Sequence, residues 1–153
     1  MNEEERKRAL RQRTKEFAER VVRFFMQLDR RRDELSILGK QLIRSATSVA
    51  AQYREASRAR SPEEFIAKVE SCVQEADESQ LWLELLRDEC GMSQATVEPI
   101  WKEADELISI FITMSKNTKA NRPHKQPQVS GLRSHLLLSS HENSHHRYLR
   151  VCR

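Results

Sequence analysis

The sequence predicts an all-α protein: an antiparallel up-down-up-down four-helix bundle that assembles as a ring-like homo-oligomer. Three observations support the bundle. Aromatic residues make up only 6% of the 153 residues, with 3 Gly and 4 Pro, whereas strand-rich domains usually contain more aromatic, β-branched and turn residues. Four segments have helical periodicity. A strong helix-start signal, Ser61-Pro62-Glu63-Glu64, separates the second segment from the third.

The first two helices are predicted from stripes of apolar residues. The stripe of helix one ends at about Leu28 and consists of Leu10, Phe17, Val21, Phe24 and Leu28. Helix two spans about residues 36–58, and its apolar face lies opposite a basic face. Its middle, residues 45–51, is small almost all round, which favours close packing on more than one side. The alternative is that alanine simply favours helix.

Both ends of helix three can be predicted from the sequence. Ser61 caps it, Pro62 suits the first helical position, and Glu64 completes a capping box. The helix ends at about residue 89, because Gly91 suits the position after a helix.

Helix four begins at Ser93 or Thr96 and continues to about residue 119. Pro99 disfavours Ser93 as the cap, because a proline that deep removes a backbone hydrogen bond. A start near Thr96, or a tight first turn, would remove this conflict.

Charge and composition divide the chain into three parts. Residues 1–16 are a basic N-terminal extension, helical and continuous with helix one, residues 17–119 form the bundle, and residues 120–153 are a basic, His- and Ser-rich, mostly disordered tail. Lys and Arg outnumber Asp and Glu by 11 to 6 in residues 1–32 and by 6 to 1 in residues 121–153, but are outnumbered 10 to 16 between them. Basic ends can bind an acidic partner such as nucleic acid. The alternative is a solvated surface.

The cysteines and the apolar segments favour a cytoplasmic protein. Cys72, Cys90 and Cys152 lack C-x-x-C spacing and are too few for a disulfide framework. We expect no signal peptide and no contact with a membrane, because residues 1–13 are charged throughout and no apolar run approaches the ~20 residues of a membrane span.

The second half of helix three predicts a partner for the bundle. Its apolar residues point in nearly every direction, although a helix in a bundle has one inward face. The remaining apolar surface is expected to contact another copy of the protein. The residues predicted for this interface are Ala50, Ala51, Leu81, Trp82, Leu85 and Leu86.

The sequence indicates no enzyme, cofactor or metal site. Di-metal sites in bundles use Glu-x-x-His motifs, and residues 1–123 contain no histidine. The acids Glu75, Asp77, Glu78 and Glu84 are therefore interpreted as exposed or ion-paired with arginines of helix two. The tail histidines His135, His141, His145 and His146 have no ordered scaffold to hold a metal. Cys72, on the core stripe, is interpreted as a small buried hydrophobe.

Arginine-rich surface is the best functional candidate. Lys40, Arg44, Arg54 and Arg58 share one face of helix two, and Arg30, Arg31 and Arg32 lie near one end of it. Repeated in a ring, such a patch would bind RNA or DNA with steep salt dependence. The alternative is that these arginines pair with acids of helix three. In that case the protein would be a scaffold that only self-assembles or binds proteins.

Several phrases of the sequence, in order and spacing, resemble one bacterial family over about residues 17–119. They are Gln41-Leu42, Arg44-Ser45, Ser48-Val49, Tyr53-Arg54-Glu55-Ala56, Arg58-Ala59-Arg60-Ser61, Glu64-Phe65, Glu75-Ala76-Asp77-Glu78-Ser79 and Trp82-Leu83-Glu84-Leu85-Leu86. The chain is similar to the four-helix bundle proteins, also called intervening-sequence proteins because some are encoded within insertions in bacterial large-subunit ribosomal RNA genes. It departs from the common pattern at Gln52, where Asn is usual, and also at Ala50.

This resemblance implies a non-enzymatic homopentamer of bundles arranged as a barrel. One branch of the family associates with a reverse transcriptase and binds nucleic acid through basic surface. A reverse transcriptase is therefore an expected partner by resemblance, although the acidic helix three argues against a strongly basic barrel. For most other members the resemblance implies no activity.

Overall fold

The computed structural model describes Met1–Pro123, and within these residues all regular structure is α-helical. Four helices follow one another as predicted: α1 (Glu3–Gln27), α2 (Asp33–Ala56), α3 (Pro62–Asp88) and α4 (Gln94–Ala120). The all-α four-helix bundle is therefore confirmed. The expectations for the tail, including its disorder, its histidines and Cys152, lie outside the described residues.

Side-chain caps explain where three of the helices begin. Asn2 and Glu5 form a reciprocal capping box at α1. At α3 the Ser61 hydroxyl accepts from the Glu64 N–H at 3.1 Å. The predicted capping box is incomplete there, because the Glu64 carboxylate accepts from the N–H of Arg60 at 2.9 Å instead of that of Ser61.

The start of α4 shows how the chain accommodates Pro99. Ser93 is the cap, and the Thr96 N–H donates to both the hydroxyl and the carbonyl of Ser93. This is the tight first turn that was one of the two predicted solutions. Pro99 and Ala95, whose carbonyl loses its partner, are both exposed, so that water can replace the missing hydrogen bond. Before this turn, Gly91 adopts a φ of 76°, which favours glycine and ends α3 as predicted.

The core is formed by all four helices. Helices that follow one another in the chain pack together, and α1 also contacts α4, although less extensively. The largest fully buried apolar side chains are Phe17, Val21, Leu42, Val49, Tyr53, Val69, Leu83, Leu86, Val97, Leu107 and Phe111. The rings of Tyr53 and Phe111 pack with centroids 5.7 Å apart.

Small residues let α2 approach both of its neighbours. A Cβ at Gly39 would lie 2.7 Å from Cδ1 of Leu28, which follows α1. On the other side, the hydroxyls of Ser45 in α2 and Ser79 in α3 are buried and hydrogen-bonded at 2.8 Å. For the small stretch 45–51, close packing is seen against α3 at Ser45, whereas the close approach to α1 occurs at Gly39, outside that stretch.

Candidate nucleic-acid interface

Basic side chains from α1 and α2 surround one shallow depression, here called the basic cleft. Its cations are Arg8, Arg11, Lys15, Arg54 and Arg58, and Gln12 completes its lining. The spacing of three and seven residues along α1, and of four along α2, places each set on one face of its helix. Among residues 1–123 no carboxylate lines the cleft, so that five positive charges face a common volume.

Most of these charges are not neutralised by neighbours. Lys15 pairs with Glu19 at 2.9 Å. Within residues 1–123, Arg8, Arg11, Arg54 and Arg58 have no carboxylate within ion-pair distance. Their guanidinium groups therefore have no ionic partner in this part of the chain, and guanidinium groups in general form charge-assisted pairs with phosphate oxygens.

Arg44 does not belong to the basic cleft. Its Nη2 lies 2.5 Å from Glu78 Oε2, and its Nη1 lies 3.5 Å from Glu75 Oε2. This is the ion pairing with helix-three acids that the sequence offered as the alternative. The pair ties α2 to α3 at the surface, where such pairs contribute only ~0–1 kcal/mol. Lys40, which is exposed, lies one turn from Arg44 and toward the start of the helix.

Arg30, Arg31 and Arg32 lie between α1 and α2, at the opposite end of α2 from the basic cleft. Arg30 stacks over the Phe25 ring at 5.5 Å, and Arg31 pairs with Asp29 at 2.9 Å. Arg31 thereby lowers the pKa of Asp29. Arg32 pairs with Glu34 at 2.5 Å and donates to the Cys90 carbonyl at 3.3 Å. The 22 residues from Arg32 to Arg54 span about 33 Å of helix, so the arginines predicted from sequence do not form one site.

An apolar groove of about 440 Å³ continues from the basic cleft along the α1–α2 seam. The two share Lys15 and Arg54. Ala50 and Ala51, predicted as interface residues, line this groove with the small or apolar residues Ala18, Val22 and Thr47. The seam is therefore a surface that an oligomer contact could cover.

The predicted interface residues of α3 fall into two groups. Leu81 is 46% exposed, and Trp82 and Leu85 are half-buried. The Trp82 Nε1 is buried without a hydrogen-bond partner. The prediction was wrong for Leu86, which is 0% exposed: its direction from α3 turns it into the core of its own bundle, and it cannot contact another copy.

No catalytic or metal arrangement appears within the described residues. They contain no group of three His, Cys, Asp or Glu side chains able to hold a metal ion. Of the acids considered from sequence, Glu75 and Glu78 bind Arg44, and Glu84 accepts from Trp101 Nε1 at 2.9 Å. Burial raises the pKa of Cys72 to about 12, so its thiol stays protonated and unreactive at neutral pH. None of the four described helices is long and apolar enough to cross a membrane.

Sequence reasoning missed the cations of α1 that complete the basic cleft. Arg8, Arg11 and Lys15 share a helical face, and this spacing was the available signal. The spacing could not indicate that this face of α1 lies beside Arg54 and Arg58 of α2. Core packing decides which helices are neighbours and how each is rotated about its axis.

The fold and the site define the chain as a four-helix bundle protein with a basic cleft between its first two helices. The family model of the 23S rRNA-intervening sequence protein matches residues 6–113. The chain therefore belongs to that family, which confirms the resemblance. The match begins before residue 17 and includes most of the basic part of α1.

A solved structure supports this assignment. The crystal structure of a protein with unknown function, from the S23 ribosomal protein family of Bacteroides thetaiotaomicron, has 32% sequence identity with this chain and a TM-score of 0.66. The alignment covers 72% of this chain and 97% of that protein. No curated protein matches the sequence.

Proposed function

We propose that this protein is a non-enzymatic homo-oligomer, a pentamer of antiparallel up-down-up-down bundles, that binds RNA or DNA through the basic cleft. The observation that carries the proposal is the cleft itself. Five cations from two helices surround it, no carboxylate lines it, and four of the cations have no ion-pair partner among the described residues. A nucleic-acid enzyme such as a reverse transcriptase is the protein partner that such a binder would serve.

The antiparallel order is supported by contacts that run in opposite directions along neighbouring helices. Cys72 of α3 donates to the Val49 carbonyl of α2, while Ser79, farther along α3, bonds to Ser45, earlier in α2. The same relation holds between α3 and α4, where Glu70 contacts Ser115 and Glu84 contacts Trp101.

Phosphate binding is the chemistry that the cleft suits. Arginine forks match phosphate oxygens, and each neutralised phosphate releases counterions and adds to the salt dependence of binding. No aromatic side chain lines the cleft, so base stacking on aromatic rings, which often supports single-strand binding, is not available there. We therefore expect binding that depends on the backbone and tolerates any sequence.

The first prediction concerns this binding. Arg54→Glu and Arg58→Glu together are expected to weaken binding of a fluorescein-labelled 20-nucleotide RNA hairpin at least tenfold at low salt. The loss of two phosphate contacts should also reduce the slope of log Kd against log salt concentration by about 2. Fluorescence anisotropy at several salt concentrations measures both quantities, for the hairpin and for a duplex DNA of equal length.

The matched control reverses the same number of charges at the other end of α2. Arg30→Glu with Arg31→Glu should leave the affinity within about twofold, since local contacts already engage both residues. Equal losses from the two double variants would mean that net charge, not the cleft, governs binding. Light scattering on each variant checks that assembly is unchanged.

A scaffold that binds no nucleic acid is the second candidate. It is favoured by the Arg44 ion pairs and by the apolar side chains that α2, α3 and α4 expose, namely Ile37 at 61%, Leu81 at 46% and Ile112 at 38%. Absence of salt-sensitive affinity for any of the probes at low salt would reject nucleic-acid binding in favour of this role.

A further inference from the structure

A second groove lies at the end of the bundle, where α1 begins, α2 turns into α3 and α4 ends. Its volume is about 830 Å³, within the ~300–1,000 Å³ typical of small-molecule sites. Four half-buried apolar side chains line it: Leu10, Phe65, Ile110 and Met114. Residues 1–123 therefore leave apolar surface uncovered beside the α1–α4 seam, where the helices pack less extensively. The groove shares no lining residue with the basic cleft.

A buried tyrosine supplies a hydrogen-bond donor to this groove. Tyr53 is 1% exposed and lines the groove. Its hydroxyl donates to no acceptor among residues 1–123. The hydroxyl oxygen is not among the fully buried atoms without a partner, which in this part of the chain are Gln52 Oε1 and Trp82 Nε1, so a ligand can reach it. Burial raises the pKa of Tyr53, while the positive charges of Arg11 and Lys7 act in the opposite direction. The hydroxyl is therefore protonated at neutral pH and can donate to a ligand oxygen.

Cations at the rim give the groove a positive potential. Lys7 is held by Glu3 at 2.8 Å and Glu4 at 3.2 Å. Arg6 and Arg60 also line the groove, and their guanidinium groups have no carboxylate partner in the described part of the chain. Of the described residues, Glu3 is the only one that contributes a carboxylate to the lining. A free guanidinium matches the two oxygens of a carboxylate, which it binds bidentately.

We propose that this groove binds a small anionic amphiphile, an alkyl carboxylate whose chain covers the apolar floor. Its carboxylate would accept from the Tyr53 hydroxyl and pair with Arg6 and Arg60. The floor removes the alkyl chain from water, which is favourable in proportion to the apolar area covered. The rim selects the sign of the head group, since a cationic amphiphile would meet like charge.

Calorimetric titration of the full chain with sodium decanoate, below its micelle concentration, tests the proposal. We expect saturable binding of one decanoate per chain. Decyltrimethylammonium, which has the same alkyl length and the opposite charge, is expected to bind at least tenfold more weakly. The proposal is overturned if decanoate binding does not saturate or if the two probes bind equally well. Either result would favour a protein segment or a second copy of the chain as the occupant of the groove.

Variants locate the binding within the groove. Arg6→Gln with Arg60→Gln should weaken decanoate binding about tenfold, and Tyr53→Phe about fivefold, because each removes a polar contact to the carboxylate while keeping the floor. Arg30→Gln with Arg31→Gln, at the other end of the bundle, is the matched control and should have no effect. The Arg6/Arg60 variant should melt at the same temperature as the wild type. If it does and still binds decanoate with unchanged affinity, the assigned head-group site is contradicted, whether or not Tyr53→Phe is stable.

Discussion

Gly39 is the residue at which α2 comes closest to the end of α1. A Cβ there would lie 2.7 Å from Leu28 Cδ1 and 3.0 Å from Phe25 Cδ2. Leu28 is itself buried at 6% exposure, so it cannot turn into solvent without opening the core. The glycine is thus required for close approach, although its backbone is ordinary helix. A helix interior otherwise disfavours glycine by ~1 kcal/mol relative to alanine.

We expect Gly39→Ala to lower the free energy of unfolding by about 1 kcal/mol, because overpacking costs ~1–3 kcal/mol and outweighs the gain in helix propensity. Urea unfolding followed by circular dichroism measures the change. Lys40→Ala, at an exposed site of the same helix outside the α1–α2 groove, isolates the propensity gain and should be neutral or stabilising. An increase in stability for Gly39→Ala would show that Leu28 and Phe25 shift at no cost.

At the scale of elements, polar side chains join α3 to α4 along much of their length. Glu70 accepts from Ser115 at 3.1 Å and also pairs with Lys119. Farther along α3, the buried Gln80 donates to the Trp101 carbonyl at 3.4 Å and to Asp105 at 3.3 Å. These contacts fix the register of two helices whose shared core consists mostly of interchangeable apolar residues.

Glu70 makes part of this stability depend on pH. The hydrogen bond from Lys119, and then that from Ser115, lower its pKa in the folded state. Its contribution is therefore complete above its unfolded pKa of about 4.3 and is lost as the pH falls through the lower folded value. We expect Glu70→Gln to melt at a lower temperature than the wild type above pH 5, and the difference to shrink as the pH falls below the folded pKa of Glu70.

Asp77→Asn is the control for this experiment. Asp77 is an exposed carboxylate of the same helix and has no ion-pair partner among residues 1–123. Its removal should leave the melting temperature close to that of the wild type at every pH. A difference between Glu70→Gln and the wild type that persists unchanged at pH 3 would assign the effect to packing and not to charge.

At the scale of the whole molecule, the residues predicted to contact another copy lie on two surfaces that the bundle of residues 1–123 leaves uncovered. One is the groove between α1 and α2 that contains Ala50 and Ala51, and the other is the outer side of α3 with Leu81, Trp82 and Leu85. They lie on different helices, so one copy could place its α3 against the α1–α2 groove of the next. A head-to-tail contact of this kind closes into a ring when the rotation between successive copies adds up to a full turn, and otherwise forms a filament.

The proposed pentamer predicts a mass by light scattering of five times the 18.0 kDa of the chain. Leu81→Glu should produce smaller species, because it places a charge on surface that the ring would desolvate. Met26→Glu, on α1 at a site 69% exposed, is the control and should keep the wild-type mass. A monodisperse monomer for the wild type would reject the ring and the interface assigned to Leu81.

The number and order of the helices, and the ends of α3, could be predicted from the sequence because their causes are local. The bounds of α2 were predicted less well, as about 36–58 instead of Asp33–Ala56, since no side chain caps its start. Apolar periodicity, the Ser61 cap and Gly91 act within a few residues of where they stand. The interpretation of Cys72 as a core residue followed from the same periodicity. The conflict at Pro99 was also visible in advance, although the exposure of Pro99 and Ala95, and not the first turn alone, makes the missing hydrogen bond tolerable.

The candidate sites depended on tertiary structure, because they join residues of different helices. Periodicity places Arg44 and Arg54 on one face of α2. Only the packed neighbours decide that Arg44 pairs with Glu78 while Arg54 lines the basic cleft with Arg11. Similarly, the sequence predicted Leu86 as part of an interface, but the rotation of α3 about its axis places this side chain in the core. A helical face is determined locally, and what that face contacts is decided by how four helices fill one core.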